Sequence, residues 1–152
     1  MMKRFTLVAA AALAFVITAV GALLAQSPTA IAVVRDPGCG CCMQWVAHLK
    51  KAGFQTTVTE SSSMAAVKDS KGVPAAARSC HTGTIGGYVI EGHVPAADIK
   101  RLLKERPNIV GLAVAGMPAG SPGMEVPSGT VAPYDVLAFD KTGKTSVFAS
   151  HR

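Results

Sequence analysis

Three cysteines fall within four positions, Cys39, Cys41 and Cys42, and a fourth, Cys80, follows 38 residues later. Cys39 and Cys42 have the C-x-x-C spacing. Placed at a helix N-terminus, where unpaired N–H groups and the helix dipole favour a negative charge, such thiols ionise readily; the thiolate is both the nucleophile and the metal ligand. Cys41 bears on which role applies. Dithiol exchange needs two sulfurs, and a third beside them invites mispairing, whereas a soft-metal site gains from it. Structural disulfides are the plain alternative, since four cysteines allow three pairings. Only Cys80 lies outside the cluster, however, so two bridges would put one inside the tetrapeptide, where closing so short a loop adds little. The metal reading leads. A thiol–disulfide oxidoreductase using Cys39 and Cys42, and a structural module with bridges or one zinc, remain as alternatives.

Other soft and borderline donors accompany the thiols. His81 directly follows Cys80; on one strand the two would face opposite ways, so both reach one site only where the strand is bulged or ends. Met117 and Met124 stand in a Gly/Pro-rich stretch without apolar periodicity, which makes them candidate thioether ligands. His93 precedes a predicted helix and is a further ligand candidate. Met43 reads as core packing or a ligand, Met64 as helix packing, His48 as a surface histidine, Glu125 as solvated, and His151 as frayed. Thiolate, thioether and imidazole together suit copper(I). Zinc would have no use for the methionines, and no carboxylate cluster invites a hard cation.

The elements that would carry these residues alternate. Residues 31–34 read as a strand and Asp36-Pro-Gly38 as a turn. A helix is expected over residues 41–52, with Trp45, Leu49 and Ala52 on one face and Gly53 ending it. Residues 54–59 read as a strand, 64–71 as a short helix, and 75–85 and 88–91 as a strand pair around Gly86-Gly87. Pro95 opens a helix that ends before Pro107. Residues 107–133 are read as ordered but irregular, and 134–139 with 145–149 as a closing hairpin. The order predicts an α/β fold: a thioredoxin-like mixed sheet with flanking helices and a C-terminal β-hairpin extension.

The chain has 152 residues, room for one domain, expected over residues 31–152 after a linker at 26–30. Residues 5–25 are uncharged, and 18 of the 21 are apolar; Lys3 and Arg4 precede them. Residues 1–25 therefore read as a secretory signal peptide, or as a membrane anchor if uncleaved, which places the remainder in the periplasm. Without that segment, 13 basic and 9 acidic residues leave a net charge of +4. No basic run exceeds two residues and aromatics are 5%, which argues against nucleic-acid binding.

Four motifs, Asp36-Pro-Gly-Cys-Gly-Cys-Cys42, Ser79-Cys-His-Thr82, Tyr88-Val-Ile-Glu-Gly-His-Val-Pro95 and Gly116-Met-Pro-Ala-Gly-Ser-Pro-Gly-Met-Glu125, resemble those of the CopG-type periplasmic copper-resistance proteins. This is a domain family formerly without an assigned function and unrelated to the ribbon-helix-helix repressor of the same name. The resemblance spans roughly residues 30–150. It implies a thioredoxin-like domain holding several copper ions, with a proposed role in interconverting copper(I) and copper(II). Carried over, Cys39, Cys41, Cys42 and Cys80 become cluster ligands, and Met117, Met124, His81 and His93 accessory contacts. Other periplasmic copper-handling proteins would be its partners. Val73-Pro74 resembles the Val-Pro that thioredoxin-like proteins hold in cis beside the cysteines.

Overall fold

The computed structural model describes residues 29–152; the expected targeting segment and most of the expected linker lie outside them. Seven strands form one mixed sheet flanked by helices. In chain order these are β1 (Ala30–Arg35), α1 (Gly40–Lys51), β2 (Gln55–Glu60), α2 (Met64–Ser70), a 3-10 turn (Ala75–Ala77), β3 (His81–Ile85), β4 (Tyr88–Glu91), α3 (Ala96–Glu105), β5 (Gly111–Ala113), β6 (Tyr134–Phe139) and β7 (Thr145–His151). The strands lie in the order β2-β1-β3-β4-β5-β6-β7. β1 runs parallel to β2 and antiparallel to β3; β4 is antiparallel to β3 and parallel to β5. The hairpin β6–β7 extends the sheet beyond β5.

Each face of the sheet has its own apolar cluster. Ile31 and Val33 of β1, Ile90 of β4, Leu112 of β5 and Val136 of β6 pack against Trp45, Val46 and Leu49 of α1 and Ile99, Leu102 and Leu103 of α3. Alternate residues of the same strands, Val89, Ala113 and Phe139, meet Val73 and Ala77 on the other face. That two-residue alternation covers both faces, as a sheet layered with helices requires. α1 keeps Cys42, Trp45, Val46 and Leu49 buried, with His48, Lys50 and Lys51 in its last turn, where they complement the dipole. α3 ends at Arg106, in the left-handed region at φ 51° immediately before Pro107.

Four expectations need correcting. Residues 75–80 are not strand: the 3-10 turn follows Pro74, and β3 begins only at His81. Residues 107–133 are not wholly irregular, because Gly111–Ala113 inserts as β5 between β4 and β6. Only glycine fits there, since a Cβ on Gly111 would lie 2.0 Å from the Val89 carbonyl oxygen. His151 is not frayed; it closes β7, stacks on Tyr134 at 4.8 Å and pairs with Asp98 at 2.8 Å. No described peptide bond is cis, so Val73–Pro74 is trans.

Candidate metal centre

The cysteine loop joins β1 to α1. Its turn is held by Cys39 N–H donating to the Asp36 carbonyl at 3.0 Å and Gly38 N–H donating to Asp36 Oδ1 at 2.8 Å. Arg35 braces it from the end of β1: Nη1 donates to the carbonyls of Asp36, Pro37 and Cys39, and Nη2 pairs with Glu60. Cys39 occupies the N-cap position and Cys41 and Cys42 the first turn of α1, which has no acidic residue to oppose a thiolate there.

Cys80 lies one residue before β3, so the chain has not yet taken the strand alternation that would separate it from His81. Its Sγ is 3.2 Å from His81 Nδ1 and 3.1 Å from His93 Nε2. The donor atoms of Cys39, Cys41, Cys42 and Cys80 all lie within 4.8 Å of one another, and so do those of Cys80, His81 and His93. Cys80 is the member common to both groups. Met117 Sδ approaches Cys41 Sγ at 3.8 Å.

Not every expected ligand arrives in ligating form. Cys39 and Cys42 are joined in a disulfide, which leaves Cys41 and Cys80 as the free thiols. The bridge forms because C-x-x-C at a helix start brings the two residues to a Cα separation of 5.6 Å. In this state the bridged sulfurs are not thiolate donors; reduction by two electrons and two protons would restore all four thiols. Met124 enters through its main chain: Gly120 N–H donates to its carbonyl at 2.7 Å and its own N–H donates to Ser121 at 2.8 Å. No contact of its sulfur with a thiol is found among the described residues. His48 stays outside the group, half-buried, where Nε2 accepts from Ala96 N–H at the start of α3.

Burial sets the electrostatics. The Cys80 thiol is pushed up to about 11, mainly because its environment disfavours charge; the Ser79 hydroxyl, 3.8 Å away, works against this. His81 is fully buried and held down to about 3 by desolvation, then by His93 and Lys68. Its ring packs 4.3 Å from that of Trp45, and its Nε2 has no hydrogen-bond partner. His93 is lowered by burial, against a bond to the Pro122 carbonyl at 2.7 Å. A carbonyl can only accept, so His93 carries its proton on Nδ1 and turns the Nε2 lone pair toward Cys80. Both imidazoles are therefore neutral near pH 7, the form that ligates metals. For Cys80 the sign is plain: below about pH 11 the metal-free thiol is mostly protonated. In the Cys41→Ser background, iodoacetamide should modify Cys80 slowly at pH 7.5, with the rate rising about tenfold per pH unit between 8 and 10. A rate flat above pH 8 would contradict the burial effect.

The Met117–Met124 loop is seated on α1 by Gly123. This residue has φ +84°, and a Cβ there would meet Trp45 N at 2.6 Å and Cys41 O at 3.1 Å. Its N–H donates to both Glu125 carboxylate oxygens, at 2.9 and 3.0 Å, which lowers the pKa of this otherwise exposed group. Gly123→Ala should cost about 1–3 kcal/mol through backbone strain and lift Pro122 away from His93. Urea unfolding, with limited proteolysis of residues 116–133, would read both effects; wild-type behaviour in both would mean the contact is dispensable.

Sequence reasoning missed Arg35, Gly123, Ser79 and the buried pair Lys68–Glu91. Glu91 lies inside the Tyr88–Pro95 motif, yet nothing in its spacing marks a carboxylate that will be fully buried.

Residues 77–124, which hold Cys80, both site histidines and both loop methionines, match the family described as "Protein of unknown function, DUF411". No curated protein matches. Two solved structures do, "Copper resistance protein copG- Form 1" and "Copper resistance protein copG- Form 2". Each is 49% identical with a TM-score of 0.77 and covers 82% of this chain, against 98% and 99% of its own length. That identity, over nearly the whole of both relatives, makes this chain a member of the CopG family of copper resistance proteins.

Proposed function

We propose that this protein binds copper in the periplasm and contributes to copper resistance by holding copper(I), several ions per chain, at the β1–α1 loop. The observation that carries the proposal is the donor set: four cysteine sulfurs within 4.8 Å of one another, with Cys80 shared with two neutral imidazoles. Bridging sulfurs let several soft ions share few cysteines, and Met117 adds a thioether beside Cys41. Neither donor group among the described residues contains a carboxylate, and Glu91 is engaged by Lys68 and Glu125 by Gly123. The copper resistance name of the two relatives supports the choice of metal. The uncharged apolar stretch 5–25, preceded by Lys3 and Arg4, supports export.

The disulfide adds a redox dimension. Bridged, the site offers the thiols of Cys41 and Cys80; reduced, it offers four. The two electrons that open the Cys39–Cys42 bridge, with two protons from solvent, could come from two copper(I) ions passing to copper(II), and re-forming the bridge would return them. The bridge also favours a second reading, a thiol–disulfide oxidoreductase in which Cys39 and Cys42 cycle and copper is incidental.

Anaerobic titration of the reduced protein with copper(I) against a competing chelator, counting thiols in parallel, separates the two. More than one tightly held copper per chain, largely lost in Cys41→Ser/Cys42→Ser, is the expected result. One copper or none, with a readily re-formed Cys39–Cys42 bridge and thiol-exchange turnover unaffected by Cys41→Ser, would establish the oxidoreductase instead.

A further inference from the structure

Behind the site, on the opposite face of the sheet from Trp45, lies a buried ion pair. Lys68 of α2 is 5% exposed and Glu91 of β4 is fully buried. Lys68 Nζ reaches Glu91 Oε1 at 2.6 Å and Thr82 Oγ1 at 3.1 Å. Glu91 Oε1 also accepts the main-chain N–H of Ser79 at 2.7 Å, and Oε2 accepts the Thr82 hydroxyl at 2.7 Å. Both carboxylate oxygens are thus engaged. Two of the three donors, Ser79 and Thr82, stand immediately before Cys80 and immediately after His81.

A buried ion pair is a poor device for stability alone, because desolvation offsets most of its attraction and a packed apolar pair commonly serves the fold as well. Geometry is where this one is specific. Ser79 precedes β3, so its N–H has no ladder partner and would be stranded without Glu91. Its hydroxyl continues the chain of bonds to the Gly116 carbonyl, one residue before Met117. The turn after Glu91 is equally tight: a Cβ on Gly92 would meet Ser79 Cβ at 2.5 Å and Val114 O at 2.6 Å.

We propose that the Lys68–Glu91 pair is the positioning element of the metal centre, gripping Ser79 and Thr82 from behind the sheet so that Cys80 and His81 are presented together to the donors on α1. The proposal rests on the metal-binding reading above. Glu91 and Lys68 touch no donor atom and act through the backbone of residues 79–82.

Two double variants separate hydrogen bonding from burial. Lys68→Met/Glu91→Gln removes both charges but keeps an acceptor for Ser79 and a partner for Thr82. Lys68→Met/Glu91→Leu keeps the packing and removes the grip. Copper(I) affinity, the copper–nitrogen shell in X-ray absorption, and the alkylation rate of Cys80 in the metal-free protein are read alongside the melting temperature. The Gln variant should stay within about threefold of wild type in affinity. The Leu variant should bind about 10–100-fold more weakly, the range typical for loss of an outer-shell partner. It should also lose copper–nitrogen scattering and expose Cys80 to faster alkylation. Equal affinity and equal alkylation in two folded double variants would overturn the proposal. If the Leu variant fails to fold, Thr82→Val serves: it removes one bond to Oε2, and wild-type affinity and alkylation there would overturn the proposal equally. If wild-type protein takes up no copper, the metal-binding reading fails, and the alkylation comparison still decides whether the pair positions Cys80.

Discussion

Replacing Cys80 with serine should abolish multi-equivalent copper(I) binding by the reduced protein, with an affinity loss of at least about 100-fold, the upper end of what even an outer-shell change costs. Cys80 is the one residue common to the four-sulfur group and the group with His81 and His93, so its loss divides the site in two. Serine is slightly smaller and offers a hard oxygen in place of a soft sulfur. The change sits in a half-buried position just before β3 and leaves the ladder intact. Stability should therefore stay near wild type while binding collapses. Chelator competition alongside thermal unfolding distinguishes the two effects. Unchanged stoichiometry and affinity would remove Cys80 from the centre and leave the three thiols of the loop to account for any copper bound.

The largest effect on stability is expected at Trp45. It is fully buried, packs 4.3 Å from the His81 ring, and donates from Nε1 to the Val94 carbonyl at 2.9 Å. Trp45→Ala should cost about 3–5 kcal/mol, the usual range for deleting a large aromatic from a core. For a domain of this size that corresponds to a fall in melting temperature of about 10–20 °C. The void would open under His81, so copper binding should weaken as well, and Trp45→Phe should recover most of the stability without the bond to Val94. Circular dichroism melts of both variants test this; a loss under about 1 kcal/mol in Trp45→Ala would mean the core closes over the gap.

The parts of the molecule readable in advance were those with a short-range cause. Cys39, Cys41 and Cys42 announce their chemistry by spacing, and α1 announces itself by the stripe through Trp45 and Leu49 and by Gly53. The α/β order followed from alternation, and the mixed sheet bears it out. What escaped reading depended on partners distant in sequence. β5 is three residues long and begins with Gly111, which reads as a loop glycine until Val89 is found against it. His151 looked terminal, yet Tyr134 and Asp98 secure it. Glu91 and Lys68 are ordinary charged residues until folding buries both. Cys80 was expected on the strand with His81, where the two would diverge unless the strand were bulged or ended; β3 instead starts at His81 and leaves Cys80 outside it. Spacing could nominate Cys39 and Cys42 for either metal or disulfide chemistry, and the structure holds them in the bridged state.

The donors are scattered over four separate stretches of chain: the N-terminus of α1, the start of β3, the turn after β4, and the loop after β5. Before the sheet assembles, the chain thus offers the Cys39–Cys42 tetrapeptide and, apart from it, the neighbouring Cys80 and His81. Cys80 reaches that tetrapeptide only through pairing of β3 with β1, and His93 is held only once Pro122 is in place. Because such long-range closures come late and together in folding, the full donor group belongs to the finished fold. A chain has to complete its sheet before it can offer the full donor set.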